Sequence, residues 1–417
     1  MTGRRVLTAA VLVTFAGGLC TPGVGAAQPP SAPSCPALWV LGVQGTSESS
    51  PGASETADSG MLGHLLGPVA ADAPNLVART YIRYPASFGG APGTGGGSDP
   101  YTVSANIGLN ALLDASEDVA ANCPATSQAV VGYSQGAQVA SGFAQIIGAG
   151  AGAGAGGGPV APERVAAVAL YSDPDRAPGS SVIAGRPGQL TPDPAPGTAG
   201  AAVSQIVLST AVASGGGIAT SSGVDFGSLT GRVADICVEG DLSCAAPDRA
   251  ALLRVAAQLA AQADLRDPIA AINSIQGLLS SALGDAWTTV VLNDFQIGTG
   301  SVAYVPAASL AQRLTDAADS RTPAPGPSET AAATARWGQI TATVAANPFT
   351  QLPALAGSLS AAWGQLVTDN ADLIDPSVWS RYSDIPARHT GYAANGQLAS
   401  GVAWLTALAH DLAGSRS

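Results

Sequence analysis

Charge, histidine and long apolar runs are all scarce in this 417-residue chain. Only 11% of residues are charged, and the 17 basic ones form no cluster against 29 acidic ones. An acidic chain without a basic patch excludes a nucleic-acid surface and simple electrostatic docking on anionic lipid. The three histidines, His64, His389 and His410, all lie far from any cysteine in sequence. No metal site is therefore expected. No segment reaches the roughly 18 consecutive apolar residues that a membrane span needs. What is abundant is hydrophobic residues, at 46%, together with 52 glycines. A chain of this size and composition can bury a large core, in one large domain with an insertion or in two domains.

The N-terminal residues 1–27 read as an export signal rather than as part of the fold. Arg4 and Arg5 form the charged region, Val6 through Phe15 the apolar region, and Val24-Gly25-Ala26-Ala27 the small-residue cleavage site. The paired arginines also suit a twin-arginine route. Leu19 is bulkier than the residue expected before a lipidated cysteine, which argues against a lipid anchor on Cys20. Removal of Arg4 and Arg5 leaves 15 basic against 29 acidic side chains, a net charge of −14. The mature protein is expected to be soluble and secreted, or held at the cell envelope. Four cysteines then remain, and an even set in an exported chain favours two disulfides over a metal site. Three pairings are open. Cys237 and Cys244 bracket a short loop, so a local bridge there is the simplest choice, leaving Cys35 with Cys123.

Apolar runs at 37–43, 77–84, 128–133, 165–171 and 233–238 read as buried strands separated by helical or loop segments. This alternation predicts a doubly wound, mainly parallel α/β sheet. Between the second and third runs, Ile107, Leu109, Leu112, Leu113 and Val119 are expected to line one side of a helix over 103–119. Segments 148–158 and 177–200, rich in glycine or in Pro, Gly and Ser, read as loops. Alanine-rich stretches at 250–283 and 331–367 have helical spacing and are separated by a proline-rich break at 321–327. The layout expected is a core over 28–245, a mostly helical insertion over 246–375, and a return to the core over 376–417. The last segment closes with a helix at 398–412.

The third strand run breaks at Gly132-Tyr133-Ser134-Gln135-Gly136, a match to G-x-S-x-G, and a helical run follows. Glycines on both sides let a strand turn sharply into a helix and hold the serine hydroxyl clear of the backbone, which is a nucleophile elbow. A serine hydroxyl needs a base, and that base needs an orienting carboxylate. His389 follows the nucleophile in a turn-like loop, in the Ser…Asp…His order of α/β-hydrolases. His64 lies in an early helix before the elbow, and His410 near the end of the last helix. Asp241, inside the Cys237–Cys244 loop, is the favoured acid, with Asp235 and Asp173 as alternatives. The backbone N–H of Gln135 and the loop holding Thr46 are the expected oxyanion donors.

These pieces together resemble the cutinase family of α/β-hydrolases, and within it the envelope lipases and esterases of mycobacteria and related actinobacteria. The resemblance rests on Cys35-Pro36, Gly45-Thr46-Ser47-Glu48-Ser49-Ser50-Pro51 and Tyr84-Pro85-Ala86. It continues through Cys123-Pro124, the elbow with Ala137, the Cys237–Cys244 loop with Gly240-Asp241, and His389 with Tyr392. It implies a Ser134–Asp241–His389 triad, an oxyanion hole at Thr46 and Gln135, and Cys35–Cys123 and Cys237–Cys244 bridges. Two features depart from the family pattern: Gln44 stands where arginine is frequent, and 145 positions separate His389 from Cys244. The reading is a secreted serine esterase or lipase that hydrolyses carboxylic esters of lipids or lipid-like polyesters, with no cofactor. An acyltransferase using the same triad, and a catalytically weak envelope protein binding lipid or a partner, are the alternatives.

Overall fold

A computed structural model describes residues 35–416 apart from 96, 151–157, 210–212 and 220–223. The expected export signal over 1–27, with Arg4, Arg5 and Cys20, lies outside the described residues, as does most of the segment 148–158 that was expected to form a loop.

Five parallel strands form the central sheet: β1 (Leu38–Val43), β2 (Val77–Tyr81), β3 (Ser127–Tyr133), β4 (Val165–Tyr171) and β5 (Val233–Ile236), in the order β2-β1-β3-β4-β5. All seven residues of β4 are buried, as expected of a strand covered on both faces. Helices α1 (Gly60–Asp72), α2 (Tyr101–Asn122) and α3 (Gln135–Gly148) fill the crossovers. On one face Leu62, Leu65 and Leu66 of α1 pack with Trp404, Leu405 and Leu408. On the other, Leu112 of α2 packs with Phe143 and Ile147 of α3. The expected apolar side of α2 holds only in part. Ser104, Gly108, Leu112, Ser116 and Val119 are buried, whereas Ile107 is exposed. Small residues let α2 approach the sheet closely: a Cβ on Gly108 would lie 2.9 Å from the Tyr84 ring. The buried face thus combines small residues with Leu112 and Val119.

The segment after Cys244 carries α4 (Ala251–Gln262), α5 (Pro268–Asn293), an antiparallel hairpin of β6 (Phe295–Gly298) and β7 (Ser301–Tyr304), α6 (Leu310–Ala318), α7 (Pro327–Ala346) and α8 (Pro348–Thr368). Each expected long helical stretch is in fact two helices. Asp267 caps α5 by accepting from the N–H groups of Ile269 and Ala270, and Pro268 occupies the first turn, where its missing N–H costs nothing. Pro348 plays the same part between α7 and α8. The hairpin was not anticipated from the sequence. Its inward residues Phe295, Val302 and Tyr304 join Val291, Ile340 and Leu355 in a small core separate from those of the sheet.

Two short helices, α9 (Pro376–Trp379) and α10 (Ile385–Thr390), lead back to α11 (Gln397–Gly414) against the sheet. The return is tied close to the departure. Arg249 pairs with Asp372 at 2.8 Å, Leu252 N–H donates to Asn370 Oδ1, and Tyr382 Oη donates to the carbonyl of Ala245. Sheet and insertion belong to one compact unit, Cys35–Ser417. Among the described residues no helix is long and apolar enough to cross a membrane.

Candidate active site

The sheet order reverses between β1 and β3, and crevices form beyond the carboxyl ends of strands at such a point. Ser134 stands there, between β3 and α3, with φ 55° and ψ −122°. A positive φ is strained for a residue with a Cβ and persists only where surrounding contacts impose it. The glycines explain how. A Cβ on Gly136 would lie 2.0 Å from the carbonyl oxygen of Val43, and one on Gly132 would lie 2.3 Å from that of Gly136. Only glycine lets α3 seat this deeply behind the serine.

His389 Nε2 lies 3.0 Å from Ser134 Oγ, and its Nδ1 lies 2.9 Å from Asp241 Oδ1. The histidine sits near the end of α10, a short helix where a turn-like loop was expected. Tyr133 Oη donates to its backbone carbonyl at 2.9 Å. Asp241 is fully buried, and its loop is closed by the Cys237–Cys244 disulfide; the other disulfide joins Cys35 and Cys123. Tyr392 Oη donates to Asp241 Oδ2 at 2.7 Å, and Ser243 N–H donates to Asp241 Oδ1 at 3.1 Å. Burial by itself would raise the Asp241 pKa. The hydrogen bond and positive charge of His389, helped by Ser172 and Tyr392, outweigh it and hold the carboxyl below its usual range. For His389, burial pulls downward, but the Asp241 bond and charge, with Glu48 adding, leave the imidazole pKa above its ordinary value.

The remaining candidates lie elsewhere. His64 and His410 are exposed on α1 and α11. Asp235 is buried 3.9 Å from Arg176 Nε; burial raises its carboxyl to about 7 despite that cation. Asp173 accepts from the N–H of Asp175 and is pushed well up by burial and by the neighbouring carboxylates. Neither bonds His389. Gln135 heads α3, where an N–H has no partner within the helix. Its own side chain is occupied, donating to the carbonyls of Ser87 and Tyr101. Thr46 lines the same cavity as Ser134 and His389. Its loop is held by Glu48, which accepts from the N–H groups of Gly45 and Met61. Gln44 supports the same loop by donating to the carbonyl and hydroxyl oxygens of Ser59.

The sequence matches the family model described as Cutinase over residues 34–253 of the 417. The chain belongs to the cutinase family. It is accordingly a carboxylic ester hydrolase, and its central sheet is the α/β-hydrolase sheet of that family. Among solved structures it is similar to the catalytic core of an acetyl xylan esterase from Trichoderma reesei, at 20% identity over 58% of this chain and 98% of that one (TM-score 0.36). It is also similar to a cutinase-like protein from Cryptococcus sp., at 16% identity over 51% and 81% of the two chains (TM-score 0.32). Lysin B from Mycobacteriophage D29 matches at 19% identity over 74% and 90% (TM-score 0.31). No match was found among curated proteins.

In this cutinase-family enzyme the serine opens into a cavity of about 420 Å³ that extends along α2 and α3. Ala257, Gln258, Ala261 and Gln262 of α4 also line it, so the insertion forms part of its wall. Two contributors escaped the sequence reading. Ser172, at the end of β4 with φ 60°, places Oγ 3.0 Å from His389 Nδ1. The other, Tyr392, was noticed only as a companion of His389. The strand-end position of Tyr171-Ser172-Asp173 was the available signal for Ser172.

Proposed function

We propose that the protein is a secreted serine esterase or lipase acting on carboxylic esters of lipids or lipid-like polyesters. The observation that carries this is the unbroken hydrogen-bonded series from Ser134 Oγ through His389 to Asp241 Oδ1. His389 Nε2 takes the hydroxyl proton as Ser134 Oγ attacks the ester carbonyl, and Asp241 holds the imidazole and stabilises its cation. The N–H of Gln135 and the Thr46 loop receive the charge on the carbonyl oxygen. Loss of one such donor typically costs about 2.7–4 kcal/mol of transition-state stabilisation. His389 then gives its proton to the departing alcohol, leaving an acyl-enzyme. Water, deprotonated by the same imidazole, releases the acid and restores Ser134. Export is supported by the two disulfides and by the 1–27 segment.

Residues 246–375 act, in this reading, as a helical cover on the acyl pocket within a core spanning 28–245 and 376–417. Support comes from α4 lining the cavity and from Arg321, the first residue of the proline-rich break, pairing with Asp175 of the core at 2.7 Å. A p-nitrophenyl ester chain-length series on the purified protein, run beside Ser134→Ala, tests the activity. Turnover lost in the variant, with Ser134 labelled by a fluorophosphonate, supports the reading. No turnover and no label would leave a binding protein, and preferential transfer of the acyl group to an added alcohol would leave an acyltransferase. Deleting the insertion with its flanks rejoined tests the cover, which predicts a changed chain-length preference.

A further inference from the structure

Ser134 is not the only serine held at positive φ where a strand leaves the sheet. Ser172 follows β4 with φ 60°, beside Ser134 with φ 55°, because Tyr171 and Tyr133 pair across β4 and β3. Only glycine adopts that backbone without strain, so a side chain there has to be imposed by its surroundings. Ser172 is fully buried. Its N–H donates to the carbonyl of Ile236 at 3.0 Å, and its carbonyl accepts from Ser243 Oγ at 3.1 Å. Glycine would make both of those backbone bonds without the strain. They therefore account for the bend in the chain and not for the hydroxyl.

The hydroxyl has its own partners. Ser172 Oγ lies 3.0 Å from His389 Nδ1, the nitrogen that also lies 2.9 Å from Asp241 Oδ1. One ring nitrogen thus faces two oxygens. An ionised carboxylate only accepts, whereas a hydroxyl has one proton to give and two lone pairs. With the imidazole proton on Nδ1, Asp241 Oδ1 and a Ser172 lone pair share it, and the Ser172 hydroxyl is free to donate to the Asp241 carboxylate. A Ser172 bond to that carboxylate contributes to holding Asp241 ionised. Nε2 is then bare and faces Ser134 Oγ at 3.0 Å, as a base must. The opposite tautomer would set an unprotonated Nδ1 against the carboxylate and turn an N–H towards Ser134. Asp241, Ser172 and Ser134 together fix both the tautomer and the rotation of the ring.

Resting on the Ser134–His389–Asp241 reading, we propose that Ser172 is a positioning residue that holds His389 in the tautomer and orientation facing Ser134. Comparison of Ser172→Gly and Ser172→Ala with the parent mature protein tests this, because both remove the hydroxyl while only glycine removes the strain. With p-nitrophenyl butyrate, both variants should lose roughly tenfold or more in kcat and keep KM within about twofold, since the hydroxyl touches the base and not the substrate. Labelling of Ser134 by a fluorophosphonate, which needs the same base, should slow in parallel. Ser172→Gly should melt above Ser172→Ala and still be as slow. Activity would then run against stability, which loss of a merely structural serine would not produce. Parent-like kcat in Ser172→Gly, or a rise in KM with kcat unchanged, overturns the proposal alone. So does an activity that recovers with melting temperature from alanine to glycine. Should alanine impair folding, kcat and the labelling rate of Ser172→Gly decide by themselves. No turnover of any ester by the parent, with Ser134 unlabelled, overturns the esterase reading and this proposal with it.

Discussion

The sheet region and the helical insertion are both rich in small apolar residues, yet they use them differently. All seven residues of β4 are buried, and ten of the fourteen in α3. In the 26-residue α5 only Ala282, Thr288, Val290 and Val291 are buried, and in the 21-residue α8 only Leu355. Phe349, Ile269 and Trp363 are exposed on the insertion at 94%, 73% and 64%. Close packing in the core imposes the strained Ser134 conformation, which a loosely packed region could not hold. The insertion has fewer buried contacts to lose and is the part suited to adjust to different substrates. Position is thus fixed in the core, while the proposed cover is the region with room to adjust.

The largest effects should fall on the core's chemistry without touching its fold. His389→Ala and Ser134→Ala should each lower kcat/KM by about 10⁴-fold or more. Melting temperatures should stay near that of the parent, and His64→Ala and His410→Ala should keep most activity. An inactive His64→Ala beside an active His389→Ala would overturn the triad.

In the proposed mechanism turnover requires neutral His389, whose pKa in the fold lies above the ordinary 6.5. The rate should therefore fall as pH drops through a midpoint higher than 6.5. Asp241→Asn removes the charge that raises this pKa, so the midpoint should move to lower pH while kcat falls by roughly 10³- to 10⁴-fold. A kcat/KM profile against pH for both proteins checks the direction. The shifts act on stability with opposite signs. The raised His389 pKa adds stability below pH 6.5 that is lost as pH rises through the raised value. The lowered Asp241 pKa adds stability above its ordinary 3.8 that is lost as pH falls through the lowered value.

Disulfide removal separates stability from positioning. Cys35–Cys123 closes 88 residues and Cys237–Cys244 only 7. Chain entropy assigns about 4–5 kcal/mol to the first and about 2–3 kcal/mol to the second. Denaturant melts should rank them in that order, while activity should suffer more from loss of the smaller loop, because it carries Asp241.

Glycine replacement sharpens the contrast at the scale of one methyl group. Gly136→Ala forces a Cβ against the Val43 carbonyl and should destabilise by about 3 kcal/mol or more. Gly338→Ala, inside α7 with nothing within 4 Å of the new Cβ, should stabilise by about 1 kcal/mol. Chemical denaturation of the two variants reads both signs.

Local sequence determined the parts of this protein whose cause is local. A parallel strand buried on both faces must be a run of apolar residues, so all five strands were visible within a few positions. The elbow is a backbone requirement satisfied by Gly132 and Gly136, and the short Cys237–Cys244 spacing invited its own bridge. Breaks inside the alanine-rich helices were missed because helical periodicity is uninterrupted there and only Pro268 and Pro348 mark the joints. The hairpin at 295–304 owes its form to burial of alternate residues against α7 and α8, a contact that no single segment announces. Histidine order in the chain favoured His389, but bringing it to Ser134, 255 positions earlier, needed the Arg249–Asp372 and Tyr382–Ala245 contacts that tie the insertion's ends together. Tertiary structure alone placed Ser172 and Tyr392 around the His389–Asp241 pair and set α4 against the cavity. Those roles depend on which distant surfaces meet, and packing decides that, not the residues beside them in the chain.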